Sequence, residues 1–414
     1  MKTDVLVIGG GLAGSLAALE AARSGRRVTL VSSGEATLHM ESGCIDLWGE
    51  AHAPGQAIAA LREKKPGHPY ALAGAGALAE GLELFLRLTQ EAGYPYQGGL
   101  DRSWLVPTAI GGLKPTGLVP PTMAAGDAGE IGSLLVVGIE EFKDSYPALA
   151  AENLAALLGI PVRSATVSMA YAGFSELSPV QAAHLLDDSE VRRSFLTRLA
   201  SVHRGEAVVG LPPVLGLRQA PAVLADCRRA LKAEVFEMPA LSPSVPGMRL
   251  AQILADALRQ AGVRLVKAEA VEGLTEGSRA TGARLRSLGG ASEVEAQAVV
   301  LATGGLAGGA LELNDRRGLQ ERVFHLPVQL PANPDDWTHP EWLSPEGQPL
   351  SQAGVSADSR LRPLGRDGQV LFDNLFLAGR LLAGHDPIAE KSGNGVAIAS
   401  GYRAGKLAAE VLAS

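Results

Sequence analysis

The sequence predicts an α/β fold, a Rossmann-type nucleotide-binding domain assembled from both chain ends with a central α+β domain inserted between them. Three observations predict it. An apolar run, Val5–Ile8, breaks into Gly9-Gly10-Gly11-Leu12-Ala13-Gly14. A second, Ala298–Leu301, enters the turn Ala302-Thr303-Gly304-Gly305. A third, Leu375-Phe376-Leu377, leads through Ala378-Gly379-Arg380 towards a final helix with a glycine-rich start. Short all-apolar runs of this kind read as parallel strands buried on both faces.

The elements follow in order. Leu12–Ser24 is an Ala/Leu-rich helix closed by Gly25, where a left-handed cap costs little, and Val28–Val31 is the second strand of a βαβ unit. Helical stretches Leu78–Glu91, Tyr146–Leu158 and Pro179–Leu199 then alternate with Gly/Pro-rich loops. Met248–Ala261 is a further helix, Val263–Lys267 a strand, and Ala268–Val294 a β-meander with turns at Gly277 and Gly289-Gly290. The expected division is 1–77, 246–310 and 365–414 for the discontinuous nucleotide-binding domain and 78–245 for the insert, with 311–364 a connecting segment.

Composition bounds the function. At 414 residues and 46% hydrophobic content the chain is long enough for two or three units with a large core. A net charge of −7 gives no electrostatic footprint for nucleic acid. The 50 glycines follow no repeat, and suit a backbone that approaches an extended cofactor closely. Cys44 and Cys227, the only cysteines, are too few for an iron–sulfur cluster or a structural zinc site, so no metal is expected. With the first strand starting at residue 3 and no apolar stretch of about twenty residues, neither a leader nor a membrane span is expected.

The glycines divide the labour of a phosphate-binding turn. Gly9 permits the turn, Gly11 lets backbone approach a phosphate, and Gly14 lets helix pack on strand. The helix N-terminus offers unpaired N–H groups and the positive end of a dipole. The acid that normally grips an adenosine ribose is missing: Ser32 lies 18 residues after Gly14, and Glu35 comes three residues later, beyond Gly34. Serine cannot make the two-oxygen grip of a carboxylate. Ser32, Ser33 and Gly34 are therefore candidate contacts for a shorter cofactor.

Thr303 and Gly304, then Gly379, Arg380 and Asp386, then Gly393, Asn394, Gly395 and Val396 complete a three-part set of the kind that two-domain flavin proteins carry. The last helix would start beneath the isoalloxazine pyrimidine and stabilise the charge that collects near N1 and O2 on reduction. The predicted class is thus a Rossmann-type flavin-binding domain of the FAD/NAD(P)-binding fold. The cofactor is FMN, with FAD the alternative, held noncovalently.

Over nearly its whole length the chain resembles the B subunit of anaerobic glycerol-3-phosphate dehydrogenase. The likeness is carried by GGGLAG at Gly9–Gly14, by Gly34–Leu47, by Ser244–Leu250 and by the segment Ala378–Gly401, in which GHDPIAE is the most specific piece. The resemblance implies FMN, a larger FAD-containing subunit and a membrane-associated iron–sulfur subunit. It also implies oxidation of sn-glycerol 3-phosphate to dihydroxyacetone phosphate, with electrons passed to a quinone. A cytoplasmic chain held at the inner face of the membrane by its partners follows from the same likeness.

Other residues carry candidate chemistry. His39 lies where the more distantly similar fumarate-reductase flavoproteins attach flavin covalently, but the residues after it differ, which favours a noncovalent role. Ser42, Gly43 and Cys44 continue that loop as candidate flavin neighbours, Cys44 without the basic neighbour a reactive thiol needs. The Gly/Pro-rich loop Thr108–Thr122 carries Lys114 and Thr116, and Arg102 precedes it; these are candidate donors to a substrate phosphate, against the alternative of a solvated loop with an ordinary surface lysine. His385 is a candidate acid/base for the substrate hydroxyl, or else a cofactor neighbour, and Asp386-Pro387 equally suits a turn. Arg316-Arg317, His325 and His339 read as a solvated face or a partner contact. Two competing functions remain: a non-catalytic flavin-fold assembly subunit, and a stand-alone FAD oxidoreductase for another hydroxy acid or an amine.

Overall fold

Strand register determines where the cofactor unit opens. In a computed structural model describing residues 1–49, 53–170, 175–314, 318–341, 344 and 346–412, the chain forms two compact units. The first comprises Met1–Thr37, Asp46–Leu88 and Ile253–Ser414, and the second Leu38–Ile45 and Thr89–Gln252.

In the first unit, five parallel strands lie in the order Arg264–Lys267, Val28–Ser32, Lys2–Ile8, Gly290–Leu301, Leu375–Leu377. The long strand Gly290–Leu301 serves two partners. Its first half pairs antiparallel with Arg279–Ser287, which pairs in turn with Glu269–Glu276, and its end pairs with Leu375–Leu377. Ile8 is level with Val31 on one side and Leu301 on the other, and Leu301 is level with Leu377. The turns that follow these strands therefore emerge along one edge of the sheet, at its carboxyl ends, where open α/β sheets bind ligands.

Burial explains the apolar runs. Val5, Leu6, Val7, Val299, Val300, Leu301 and Leu375–Leu377 are all fully buried, each worth about 1.5–3 kcal/mol of transfer free energy. The helices Leu12–Arg23 and Gly393–Glu410 meet along a seam of small residues. A Cβ added at Gly401 would lie 2.3 Å from the Ala13 carbonyl oxygen, and one at Gly405 2.3 Å from that of Ala17. Backbones at this spacing leave no room for a side chain.

The segment 311–364 belongs to the first unit. It forms the hairpin Leu311–Asn314 with Gly318–Glu321 and the pair Val328–Gln329 with Gly354–Val355, and it sends Leu311, Leu319, Val355 and Leu361 into the core.

The second unit mixes helices and strands. Its main sheet is parallel, in the order Glu234–Glu237, Val208–Leu211, Leu134–Ile139, Val162–Val167. Two antiparallel pairs accompany it, Trp104–Pro107 with Leu113–Thr116 and Gln97–Gly98 with Leu118–Val119. The helix expected over Pro179–Leu199 is two helices, Pro179–Asp187 and Ser189–Val202, because the Asp188 carboxylate accepts the N–H groups of Glu190 and Val191 and starts the second. Residues 38–45 fall in this unit, since Ile45 exchanges main-chain hydrogen bonds with Leu118. A buried ion pair, Arg249 with Glu237 at 2.6 Å, is closed off by Tyr94 and the Gly216 carbonyl.

Candidate cofactor site

The first turn is built as its glycines require. Gly9 adopts φ +117°, and a Cβ there would lie 2.1 Å from the Ala302 carbonyl oxygen, so the first turn presses directly on the second. A Cβ at Gly14 would fall 1.9 Å from the Gly9 carbonyl oxygen, which brings helix onto turn. Gly11 precedes the helix in extended conformation with no side-chain cap, and a Cβ there would meet only the Ala36 Cβ, at an ordinary 4.0 Å. An uncapped helix start behind an open glycine is a ready cradle for an anion.

The other segments close on the same edge. Gly379 donates its N–H to Ser400 Oγ of the last helix at 2.8 Å, and a Cβ at Gly379 would meet that of Ala13 at 2.8 Å. The helix Gly393–Glu410 starts at Ser392 without a side-chain cap. Its first turn is fixed from the side: the Asp46 carbonyl accepts the Gly395 N–H at 2.9 Å, and Asn394 Oδ1 accepts the Asp46 N–H. Tyr70 Oη donates to the Leu47 carbonyl at 2.7 Å, and Val396 is fully buried.

At the end of the second strand, Ser32 sits against Gly10, 2.9 Å from where a Cβ there would be, while Ser33 and Gly34 are exposed. The nearest carboxylate in the sequence, Glu35, is exposed and reaches Lys267 at 3.5 Å. An exposed pair of this kind is worth about 0–1 kcal/mol. The strand end therefore presents hydroxyls and an open glycine.

The edge also carries buried polar groups without partners. Thr303 Oγ1 and both ring nitrogens of His385 are buried with no hydrogen-bond partner of proper geometry, and His385 is only 1% exposed. Groups so placed lose hydration without compensation unless something polar comes to meet them. Burial, then the Arg380 charge and His68, push the His385 imidazole down to about 3, although the Leu382 carbonyl pulls weakly the other way. The ring is neutral near pH 7 and a feeble base, which argues against the acid/base role. Asp386 organises the loop. Its Oδ1 accepts the N–H groups of Ile388 and Ala389, and its Oδ2 that of Gln348.

The chemistry of this donor set fits a flavin nucleotide. Glycine turns and uncapped helix starts suit its phosphate and the carbonyl edge of its ring, and the unpartnered Thr303 and His385 supply a polar lining. Sequence reasoning missed the supports. His68 Nδ1 accepts the Tyr70 N–H, which assigns the ring proton to Nε2 and so to Glu390 at 3.1 Å, and Ser392 Oγ donates to the same carboxylate. His68-Pro69 at a helix start was the available signal. Ser400, two residues after Ile398 in a run of small residues, gave none.

The remaining candidates lie elsewhere. In the second unit Arg102 is committed to Asp127 at 2.8 Å and stacks on Trp104 at 4.3 Å, so it is not held ready for a phosphate. Lys114 lies in Leu113–Thr116, half-buried and in register with Val106. His39 is half-buried in a short turn whose carbonyl accepts the Ser244 N–H. Ser42 Oγ accepts the Cys44 N–H, the Gly43 carbonyl accepts Tyr96 Oη, and Cys44 is buried with its Sγ 3.6 Å from Met123 Sδ. In the first unit His325 is exposed, and His339 Nδ1 accepts the Glu341 N–H. Arg316 and Arg317 lie outside the described residues. Among the described residues no helix is long and apolar enough to cross a membrane, and no cluster could hold a metal ion.

Comparison with known proteins gives the family. The FAD binding domain family model matches residues 4–396. The chain is 32% identical over 425 residues to the B subunit of the anaerobic glycerol-3-phosphate dehydrogenase of Vibrio cholerae serotype O1, covering 98% of this chain and 96% of that protein. It is 35% identical to a probable B subunit of the same dehydrogenase from Halobacterium salinarum, covering 100% and 99%. Among solved structures, the open conformation of a flavocytochrome c3 fumarate reductase aligns with a TM-score of 0.46 at 11% identity, covering 99% of this chain and 78% of that one. The chain therefore belongs to the FAD binding domain family of flavin-dependent oxidoreductases and, within it, to the family of anaerobic glycerol-3-phosphate dehydrogenase B subunits.

Proposed function

We propose that this chain is an FMN-carrying subunit of a complex that oxidises sn-glycerol 3-phosphate to dihydroxyacetone phosphate and delivers the electrons to a quinone. The observation that carries the proposal is near-complete mutual coverage with relatives named as B subunits of that dehydrogenase. When bound, the flavin supplies two-electron acceptance from a donor and onward transfer of electrons. The residues do the rest. The first turn and the start of Leu12–Arg23 hold the phosphate, Thr303 and His385 line the site with polar atoms, and the last helix turns its positive end towards the ring.

FMN is the reading favoured by Ser32, which leaves the second strand without a ribose carboxylate. FAD is the reading favoured by the family description. With only two cysteines, the chain needs a partner for any iron–sulfur relay. We assign that role to a membrane-associated subunit, with a larger FAD-containing subunit as the second partner and this chain on the cytoplasmic side. We place oxidation of the alcohol on the larger subunit and electron relay on this chain.

Chromatography of the flavin released from purified protein tests the cofactor, with FMN expected at about one per chain. Anaerobic glycerol 3-phosphate should bleach the flavin only when the larger subunit is present. Colourless protein that takes up no added flavin would refute the proposal, and bleaching of the isolated chain would refute the relay.

A further inference from the structure

Arg380 is a half-buried cation without a counter-ion among the described residues. Its guanidinium donates only to the main-chain carbonyls of Ser351 and Ala353, and among the described residues no carboxylate lies within 4 Å of it. The two carboxylates that act on it from further away are committed elsewhere, Asp386 to three backbone N–H groups and Glu390 to His68 and Ser392. Its position is central. The side chain lies over Gly305, where a Cβ would fall 2.8 Å from Arg380 Cγ, while the adjoining Gly379 touches Ala13 and is tied to Ser400. Arg380 thus joins the second and third glycine segments at the point where the first and last helices meet them. Beside it stands the unpartnered ring of His385, which lies edge-on to His68 at 6.1 Å between centroids.

We propose that Arg380 is the resident counter-charge for the flavin ring in its reduced state, meeting the N1–C2 carbonyl edge together with the neutral His385. This rests on the flavin-site assignment made above. Net uptake of two electrons and one proton leaves one negative charge on that edge, and a half-buried cation already held by carbonyls needs little reorganisation to meet it. Desolvation lowers the pKa of Arg380 against the opposing pull of Asp386 and Glu390, and a guanidinium stays protonated across the physiological range. The positive charge is therefore permanent, and the last helix adds to it.

The test is the midpoint potential of flavin-loaded wild type, Arg380→Gln and Arg380→Lys. Arg380→Gln should bind reduced flavin at least tenfold more weakly relative to oxidised flavin, a fall of about 30 mV for each factor of ten in a two-electron couple. Arg380→Lys should recover most of it. In wild type, the potential on the acidic side of neutrality should fall by about 30 mV per pH unit, for one proton per two electrons, rather than by about twice that. This last measurement needs no variant to fold. An unshifted Arg380→Gln potential, or a two-proton slope in wild type, overturns the inference and leaves the flavin site standing. Loss of FMN binding with riboflavin binding retained would place the guanidinium on the phosphate, which also overturns it. Wild type that takes up no flavin overturns the site assignment first.

Discussion

At the scale of single residues, burial decides which titratable groups matter. Glu321 is the clearest case. Its side chain is enclosed and accepts the N–H groups of Val323 and Phe324, yet burial outweighs those bonds and raises its carboxyl from 4.5 to about 7. A folded state that holds a proton more tightly than the unfolded chain is favoured at low pH. The contribution is fully present below about 4.5 and is lost as pH rises through about 7. Against Glu321→Gln, which cannot titrate, wild type should lose on the order of 2–3 kcal/mol between pH 4.5 and pH 8. Urea midpoints for both proteins at the two pH values measure this, and a constant difference would contradict it. Motif chemistry made Gly9, Gly14, Thr303 and Arg380 legible in the sequence. It could not show that His385 is neutral or Arg102 committed, because those states depend on His68 and Asp127, which only folding brings near.

At the scale of elements, the start of the last helix packs closely on Tyr70. A Cβ at Gly395 would lie 1.9 Å from Tyr70 Oη, so Gly395→Ala must displace either the tyrosine or the helix. We expect that variant to lose at least tenfold in flavin affinity and about 1–3 kcal/mol in stability, the usual cost of overpacking. Adding Tyr70→Phe removes the clashing oxygen and should restore part of the affinity. Titration of apo-protein with FMN, followed by fluorescence quenching, compares wild type with the two variants, and a double variant no better than Gly395→Ala would refute the contact's role. Elements with long periodic or all-apolar patterns, such as Leu12–Arg23 and Lys2–Ile8, were legible from the chain alone. The parallel strands of the second unit were not. Val208–Leu211 and Glu234–Glu237 are four residues each, too short for periodicity to separate from the loops around them.

At the scale of the whole molecule, ligand and fold are linked. If the cradle binds FMN only when folded, free FMN at one hundred times its dissociation constant should stabilise the protein by about 2.7 kcal/mol. A thermal midpoint that does not move with FMN concentration would show that the folded chain has no such site. The division into two units followed from composition only in outline, because residues 38–45 join the second unit through scattered bonds, such as those between Ile45 and Leu118 and from Ser244 to His39, that no pattern announces. The seam of Ala13 and Ala17 against Gly401 and Gly405 has a consequence for how the protein is made. Its two sides are 388 residues apart, from 13 to 401. A ribosome delivers the first helix 388 residues before its packing partner. The face of the first helix that Gly401 and Gly405 cover therefore stays open until the last helix has been made.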